Sequence, residues 1–239
     1  MPTDAAALSA ALAATWPAAE TLRAGPWVLR RGAGGGNRTS AATLEGPLAD
    51  PLADPGEAEA IMRGWGQRPL FRVTPGDALD AILAARGYGV HDPSLILAAP
   101  AAAIAAPPGE AAAFGPGPLA AMAELWAAGG IGPERLAVMA RAPGPRTYIL
   151  GRIADRPAGA GFVAIAGGIA MLHALEVAPF ARRCGLGAAM TAAAAHWAAA
   201  EGAATFALAV TEANAPARAL YLRLGLSETV RYHYRKLPA

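Results

Sequence analysis

The sequence predicts an α/β (α+β) fold in which helices pack on both faces of a mixed, mostly antiparallel and twisted sheet. Gly167-Gly168 separates two apolar runs, residues 161–166 and 169–177, and marks a tight turn between paired strands. Downstream, two helix-like segments alternate with two further strand-like segments, which requires crossover connections. A hairpin followed by crossover helices produces a mixed sheet with helices packed on it.

The N-terminal half consists of short elements punctuated by glycine and proline. An alanine- and leucine-rich helix ends before Trp16-Pro17, because the residue before a proline avoids helical geometry. Gly87 closes a later helix. Residues 32–37 are a glycine-rich turn, and the proline-rich residues 46–56 are a loop. The expected helices are residues 5–14, 57–63 and 76–86, and the expected strands are residues 27–29, 70–73 and 94–98.

The C-terminal half follows residues 99–117, which are rich in proline, alanine and glycine and form either a linker or a helix-free arm that crosses the surface. We therefore divide the chain into an N-terminal domain, residues 1–110, and a C-terminal domain, residues 111–239. Apolar residues in the segment after the linker recur at helical spacing. The expected helices are residues 118–128, 133–141, 183–201 and 215–224, and the expected strands are residues 147–153, 161–166, 169–177, 205–210 and 228–236.

Composition excludes several classes of function. The net charge is +2 and no long Lys/Arg run occurs, so we expect no nucleic-acid-binding face. The single cysteine, Cys184, excludes an intrachain disulfide and fits a reducing cytoplasm. The four histidines are too scattered to indicate a metal site. The N-terminus does not resemble a signal peptide, and the longest uncharged stretch, residues 157–175, fits paired strands better than a membrane span.

A candidate anion-binding motif follows the strand that ends at Val177. Residues 182–188 read RRCGLGA and open a helix, whose first N–H groups have no intrahelical acceptor and whose dipole is positive at this end. Gly185 and Gly187 allow a bulky anion to approach the backbone, and Arg182 adds charge. A phosphate or pyrophosphate is the expected ligand. The alternative is that the glycines serve only the packing of the helix on the sheet.

A second motif begins at Asn214, which fits the N-cap of a helix with Pro216 in its first turn. Tyr221 lies on the same helix face as Ala217. Taken alone, Tyr221 would be interpreted as a core aromatic residue with its hydroxyl at the rim.

Together the two motifs resemble those of the GNAT superfamily of N-acetyltransferases. The family's Arg/Gln-x-x-Gly-x-Gly/Ala motif matches Arg182, Gly185 and Gly187. The resemblance covers residues 118–237, approximately half of the chain. The family's Asn-x-x-Ala-x-x-Leu-Tyr-x-x-x-Gly-Phe signature matches Asn214, Ala217, Leu220, Tyr221 and Gly225, with Leu226 in place of the usual Phe.

The resemblance implies that the chain binds acetyl-CoA and needs no metal. The strand with Leu175 and Val177 would splay from its neighbour and pair with the pantetheine arm, and an N–H near Val177 would stabilise the oxyanion. Asn214 and Ala217 would lie near the thiol end. Tyr221 would protonate the leaving thiolate, after direct attack by the bound amine. The pyrophosphate would be held beside Arg182 by the backbone of Arg183, Cys184, Gly185, Leu186, Gly187 and Ala188.

The general base is the least determined part of this site. Glu176, His173 and Glu212 are the candidates. Because successive strand residues point to opposite faces, His173 and Glu176 are not expected to face the cleft together. Some relatives that acetylate protein N-termini carry a Glu on the next strand, whereas residues 207–210 contain no acid here. We favour Glu176, and the alternative is a solvated carboxylate at the strand edge.

A degenerate internal repeat relates residues 71–97 to residues 209–235. Both read as strand, helix, glycine and strand. We interpret the chain as a tandem arrangement with a degenerate GNAT-like N-terminal half and an active C-terminal half. The alternative is that any strand–helix–strand unit would align this well. The aligned pairs are Gly87 with Gly225, Tyr88 with Leu226, and Leu83 with Tyr221, so the N-terminal copy has no phenol at the last position.

Two classes of function remain. The first is an enzyme that moves an acetyl group from acetyl-CoA to a primary amine of a small molecule, an amino acid or a peptide. The second is a non-catalytic acyl-CoA-binding sensor, which would need Gly185 and Gly187 but not Tyr221. The presence of Tyr221 favours the enzyme. No nucleic-acid or membrane partner is expected, and the sequence is compatible with a homodimer.

Overall fold

The computed structural model describes residues 4–45, 54–107 and 112–238. Most of the loop expected at residues 46–56 lies outside these ranges. The described helices are α1 (Ala5–Thr15), α2 (Asn37–Ser40), α3 (Pro55–Gly64), α4 (Ala78–Ala85), α5 (Ala120–Ala128), α6 (Pro133–Arg141), α7 (Leu186–Ala200) and α8 (Ala215–Arg223). The strands are β1 (Glu20–Ala24), β2 (Trp27–Arg31), β3 (Thr43–Leu44), β4 (Leu70–Val73), β5 (Gly89–Pro100), β6 (Ala112–Gly115), β7 (Arg146–Ile153), β8 (Arg156–Ala166), β9 (Ile169–Val177), β10 (Thr205–Thr211) and β11 (Ser227–Lys236).

One large sheet organises the molecule. Its eight strands run in the order β4-β11-β5-β10-β9-β8-β7-β6, and β1, β2 and β3 form a small separate sheet. Among the described strand pairs of the large sheet, only β9 and β10 are parallel. Helices α7 and α8 cover one face, where Leu172, Phe206 and Leu208 are buried. Helices α1, α5 and α6 pack on the other face. The predicted mixed, mostly antiparallel sheet is confirmed.

The internal repeat appears in the structure as an approximate twofold relation. Strands β5 and β11 pair antiparallel, and the pair Gly89–Lys236 is equivalent to the pair Ser227–Ala98 under the alignment of the repeat. The last strand of each half lies beside the other half's preceding strand, because β11 also pairs with β4 and β5 also pairs with β10. The two halves have therefore exchanged their final strands within one sheet.

The two repeat helices also end alike. Gly87 and Gly225 both adopt a positive φ, at 84° and 88°. The next amide of each copy donates to the carbonyl five residues earlier, at 3.0 Å in the first copy and 3.1 Å in the second. This is the Schellman arrangement, in which a glycine supplies the left-handed residue. Both copies thus form the same helix end.

The structure differs from the predicted linker and from the predicted domain boundary near residue 110. The expected linker at residues 99–117 is only partly irregular. Strand β5 continues to Pro100, the amide of Ala101 donates to Ala204, and β6 begins at Ala112. The sheet also crosses the boundary between residues 110 and 111, since β5 lies between two strands of the C-terminal half. The division into residues 1–110 and 111–239 remains a proposal. It describes the two copies of the repeat and does not imply that each copy forms its own sheet.

Other differences are local. Strands β1, β3 and β6 and helix α2 were not expected from the sequence. Helix α7 begins at Leu186, three residues later than expected, because the preceding residues form an irregular turn. No helix in the described part of the chain is long and apolar enough to cross a membrane.

Candidate acyl-CoA site

The strands β9 and β10 separate at one end. Their pairing extends only over Ile169–Leu172 and Thr205–Leu208. Beyond it, Ala174 adopts a positive φ of 49° and the register of β9 against β8 shifts by one residue, which is a β-bulge. A cavity of about 250 Å³ occupies the gap. The splayed strands leave backbone groups facing the cavity, as the resemblance implies for a pantetheine arm.

The bulge changes which side chains share a face. Across β8, His173 pairs with Phe162 and Glu176 pairs with Ala160, and these partners are two residues apart. Because residues two apart lie on the same face of a strand, His173 and Glu176 also lie on the same face. The expectation that they point to opposite faces was wrong. The extra residue at Ala174 shifts the alternation of side-chain faces along β9 by one position, so that both side chains lie on one face of the sheet.

The turn before α7 presents unpaired amides. Arg183 and Gly185 both have positive φ values, 63° and 81°. In the described part of the chain, none of the backbone amides of residues 183–188 donates a hydrogen bond to another protein group. Unpaired amides at the positive end of a helix dipole form an anion site. This is the kind of site that the resemblance implies for a pyrophosphate.

Helix α8 faces this turn. The Asn214 side chain accepts a hydrogen bond from the Ala217 amide at 3.2 Å, so it is the N-cap. Gly187 lies against α8, and a Cβ there would be 3.3 Å from the Leu220 side chain. The absence of a side chain at residue 187 lets the two helices approach beside the cavity.

A cavity of about 480 Å³ between these elements brings most of the predicted residues together. The predicted site residues that line it are Leu175, Glu176, Val177, Arg182, Arg183, Gly187, Asn214, Ala217 and Tyr221. The other four predicted residues do not line it: Cys184 is exposed, the Leu186 side chain is buried in the core, and Gly185 and Ala188 lie in the same turn and helix start. Their predicted role through the backbone is retained as a proposal.

Tyr221 is buried in the wall of this cavity and of the gap between β9 and β10. Its hydroxyl has no hydrogen-bond partner among the described residues. Burial raises the pKa of Tyr221 to about 12. The phenol therefore keeps its proton at neutral pH and is free to donate it into the cavity.

The three candidate bases differ in their partners. Glu176 contacts Gly129 and lies 3.2 Å from Arg182. Both ring nitrogens of His173 are engaged, by Thr15 at 2.8 Å and by an arginine of the N-terminal half at 3.1 Å. Burial, followed by the charge of that arginine, lowers the pKa of His173 well below 6.5. Glu212 pairs with Arg231 and lines neither cavity.

The arginine bonded to His173 is Arg38, a residue that the sequence analysis missed. It belongs to α2, yet it lines the gap between β9 and β10 together with Tyr221. No motif surrounds Arg38, and the contact spans 135 residues of chain. Only the tertiary fold brings it to this site.

Comparison with known proteins agrees with the geometry. Residues 120–226 match the acetyltransferase (GNAT) family. This segment contains both motifs and ends at Leu226. A search of curated proteins finds no match.

Solved structures show the same fold over nearly the whole chain. A GCN5-related N-acetyltransferase from Kribbella flavida is 23% identical with a TM-score of 0.73, and the alignment covers 98% of this chain and 96% of the other. A tandem GNAT protein from the clavulanic acid biosynthesis pathway is 16% identical with a TM-score of 0.61, covering 95% and 87%. A GNAT-family protein from Novosphingobium aromaticivorans is 18% identical with a TM-score of 0.55, covering 90% and 89%. The match to a tandem protein agrees with the repeat.

Proposed function

We propose that this chain, whose residues 120–226 match the acetyltransferase (GNAT) family, transfers an acetyl group from acetyl-CoA to a primary amine. The observation that carries the proposal is a single cavity of about 480 Å³ that is lined both by the turn before α7 and by Tyr221. The first feature suits the diphosphate of CoA, and the second suits its sulfur.

The described residues fit an acyl-CoA. The unpaired amides of residues 183–188 would bind the pyrophosphate, and Arg183 would add positive charge. The unpaired ends of β9 and β10 would bind the amide groups of the pantetheine arm. Bound there, acetyl-CoA supplies an activated acetyl thioester.

Tyr221 is the proposed general acid. Its buried hydroxyl has no hydrogen-bond partner within the described ranges and, with a pKa of about 12, remains protonated at neutral pH. Donation of this proton to the departing sulfur would stabilise the leaving group.

Glu176 is the proposed base. It lines the cavity, whereas Glu212 does not, and His173 has no free nitrogen to accept a proton. The contact with Arg182 holds the Glu176 carboxylate at the cavity wall. A bound amine would lose its proton to this carboxylate, directly or through water. We place the reaction in the cytoplasm, as the single cysteine also suggests.

The test measures the turnover of acetyl-CoA with a panel of primary amines. The quantity recorded is the release of the free CoA thiol. The enzyme proposal expects amine-dependent thiol release that Tyr221→Phe strongly reduces. Tight binding of CoA by calorimetry with no thiol release from any amine would instead support the acyl-CoA sensor.

A further inference from the structure

The gap between β9 and β10 continues into a second cavity that both halves of the chain form. This second cavity, of about 260 Å³, is called the acceptor pocket here, and it shares Arg38, Ala174 and Thr211 with the gap. Tyr221 lines the gap but not the acceptor pocket. The acceptor pocket is therefore the space from which a second substrate would reach the thioester, an inference that rests on the proposed function.

Arg38 lies at the junction of the two cavities and is hydrogen-bonded there to His173. Its Nη1 donates to Nδ1 of His173 at 3.1 Å. Since an arginine can only donate, Nδ1 must be unprotonated and Nε2 carries the hydrogen, which it donates to Thr15 Oγ1 at 2.8 Å. The Thr15 hydroxyl in turn donates to the Ala11 carbonyl at 2.7 Å. A neutral histidine thus positions the Arg38 guanidinium and does not neutralise it.

The positive charge of Arg38 lacks a counter-charge in the part of the chain that the structure describes. No carboxylate of the described residues pairs with Arg38, and its buried Nε has no hydrogen-bond partner. A partly buried cation without a partner costs free energy unless a ligand supplies the anion. The Trp16 ring lies 5.9 Å from the guanidinium carbon and compensates it only weakly.

The rest of the acceptor pocket is also cationic. Arg135 lines it and has no ion-pair partner in the ranges that the structure covers. Asp92 is the only acidic residue among its described lining residues, and it is already engaged, because Asn37 donates to it at 2.7 Å and His91 lies 3.4 Å away. Two arginines and one carboxylate line the acceptor pocket, so the net charge of its lining is positive.

We infer that the acceptor is a small amine that also carries a carboxylate, which Arg38 binds with help from Arg135. The pocket volume of about 260 Å³ lies below the roughly 300–1,000 Å³ of pockets for drug-sized ligands, so it suits a ligand the size of an amino acid. A guanidinium binds a carboxylate through two parallel hydrogen bonds, which would fix the position of the amine relative to the thioester.

The first experiment uses the full-length protein and matched acceptors. Each α-amino acid is compared with its carboxamide and with the corresponding amine that lacks the carboxyl group. We expect kcat/KM for the best amino acid to exceed that of its carboxamide by about 10- to 100-fold, the range for a hydrogen bond to a charged group. Acetylation of amines with no preference for the carboxylate would overturn the inference and leave the proposed function standing.

The second experiment uses variants of Arg38. We expect Arg38→Gln to raise the KM for the amino acid to the value of the KM for the carboxamide. The KM for the carboxamide itself should change little. Arg38→Lys, which keeps the charge, should retain part of the preference. The control is Arg31→Gln, which removes an exposed arginine of the same half that pairs with Glu20. If Arg38→Gln leaves the ratio of kcat/KM between the amino acid and its carboxamide unchanged, the inference is overturned.

A binding measurement separates this inference from the proposed function. With CoA present, the amino acid should raise the Tm of the wild-type protein more than its carboxamide does, and Arg38→Gln should abolish the difference. If no amine is acetylated but this difference is seen, the proposed enzyme fails and the anion-binding pocket is supported. Equal shifts for both ligands would overturn the pocket.

Discussion

At the scale of single residues, Tyr221 combines burial with a hydroxyl that faces a cavity. The buried ring packs with the core beneath α7, so removing the hydroxyl alone preserves the packing. The raised pKa of about 12 means that the phenol stays protonated across the range of ordinary assays. These two properties allow its chemical role to be tested apart from its structural role.

We predict that Tyr221→Phe lowers kcat by about 10²- to 10⁴-fold, the usual contribution of a general acid. The Kd for CoA should change less than about twofold, because the ring still fills the same volume. Steady-state kinetics and calorimetry measure the two quantities. A parallel loss of CoA affinity and kcat would show that Tyr221 is structural. Because the acid form persists up to a pH of about 12, kcat should not fall between pH 7 and pH 10 through ionisation of Tyr221.

His173 has a different role, since its neutral ring connects Thr15 to Arg38 in the protein interior. In the folded state the pKa of His173 lies well below 6.5, because burial and then Arg38 disfavour the charged ring. Below pH 6.5 the unfolded chain therefore binds a proton that the folded chain does not. His173 makes the protein less stable as the pH falls.

We predict that the free energy of unfolding falls more steeply between pH 7 and pH 5 in the wild type than in His173→Gln. The glutamine can also accept from Arg38 and donate to Thr15, but it does not titrate. The difference should widen as the pH falls below 6.5, by at most about 1.4 kcal/mol per pH unit. Urea denaturation at several pH values measures it, and identical pH profiles would contradict the assignment of a buried neutral ring.

At the scale of secondary-structure elements, two irregularities build the site. The bulge at Ala174 in β9 separates β9 from β10, and the turn with positive φ at Arg183 and Gly185 opens α7. Each irregularity leaves backbone groups without partners inside a cavity wall. The proposed binding of acetyl-CoA depends mainly on these backbone groups, which a side-chain substitution can block but not remove.

We predict that Gly187→Glu reduces the affinity for CoA by about 100-fold or more. Its carboxylate would lie beside the proposed pyrophosphate site, where like charges repel. Gly187→Ala should cost far less, because the closest atom to its Cβ would be the movable end of the Leu220 side chain at 3.3 Å, and Val177 would be at an ordinary contact distance of 3.8 Å. Calorimetry measures the affinity of each folded variant.

The matched control is Gly117→Glu, which adds the same charge where a Cβ meets nothing within 4 Å. We expect it to bind CoA as the wild type does. A folded Gly187→Glu protein with unchanged affinity would remove the assignment of the α7 start as the diphosphate site.

At the scale of the whole molecule, the two halves share one sheet. Strand β5 of the N-terminal half lies between β10 and β11, and β11 lies between β4 and β5. Arg235 and His233 of β11 also bond to Asp80 of α4, at 2.6 Å and 2.8 Å. Burial opposes ionisation of Asp80, but these bonds and the Gly76 amide lower its pKa to about 2. The exchange of strands thus includes a buried ion pair between the halves.

We predict that residues 112–239 do not fold alone. Without β5, strands β10 and β11 lose their shared neighbour, and their edges that pair with β5 are left with unpaired N–H and C=O groups. Circular dichroism and thermal denaturation of this fragment should show no cooperative transition. Coexpression with residues 1–111 should restore it. A fragment that melts cooperatively near the Tm of the full chain would show that the C-terminal half is an autonomous domain.

The glycine turn at Gly167-Gly168, strand β4 and helix α6 match their expected positions, because local backbone preferences determine them. The shared face of His173 and Glu176 was not predicted, because a bulge at Ala174 has no reliable local signal. Strand β6 lies in the expected linker, since its pairing with β7 comes from outside the segment.

The sequence by itself determined the order of the C-terminal elements, the two motifs that resemble those of the GNAT family, and the repeat. These features depend on short-range spacing of glycine, proline and apolar residues, which is present in the chain before it folds. The tertiary structure alone decided that the halves exchange strands and that Arg38 reaches the cleft beside Tyr221. Both results depend on pairing between residues that are far apart in the chain, for which local patterns carry no information.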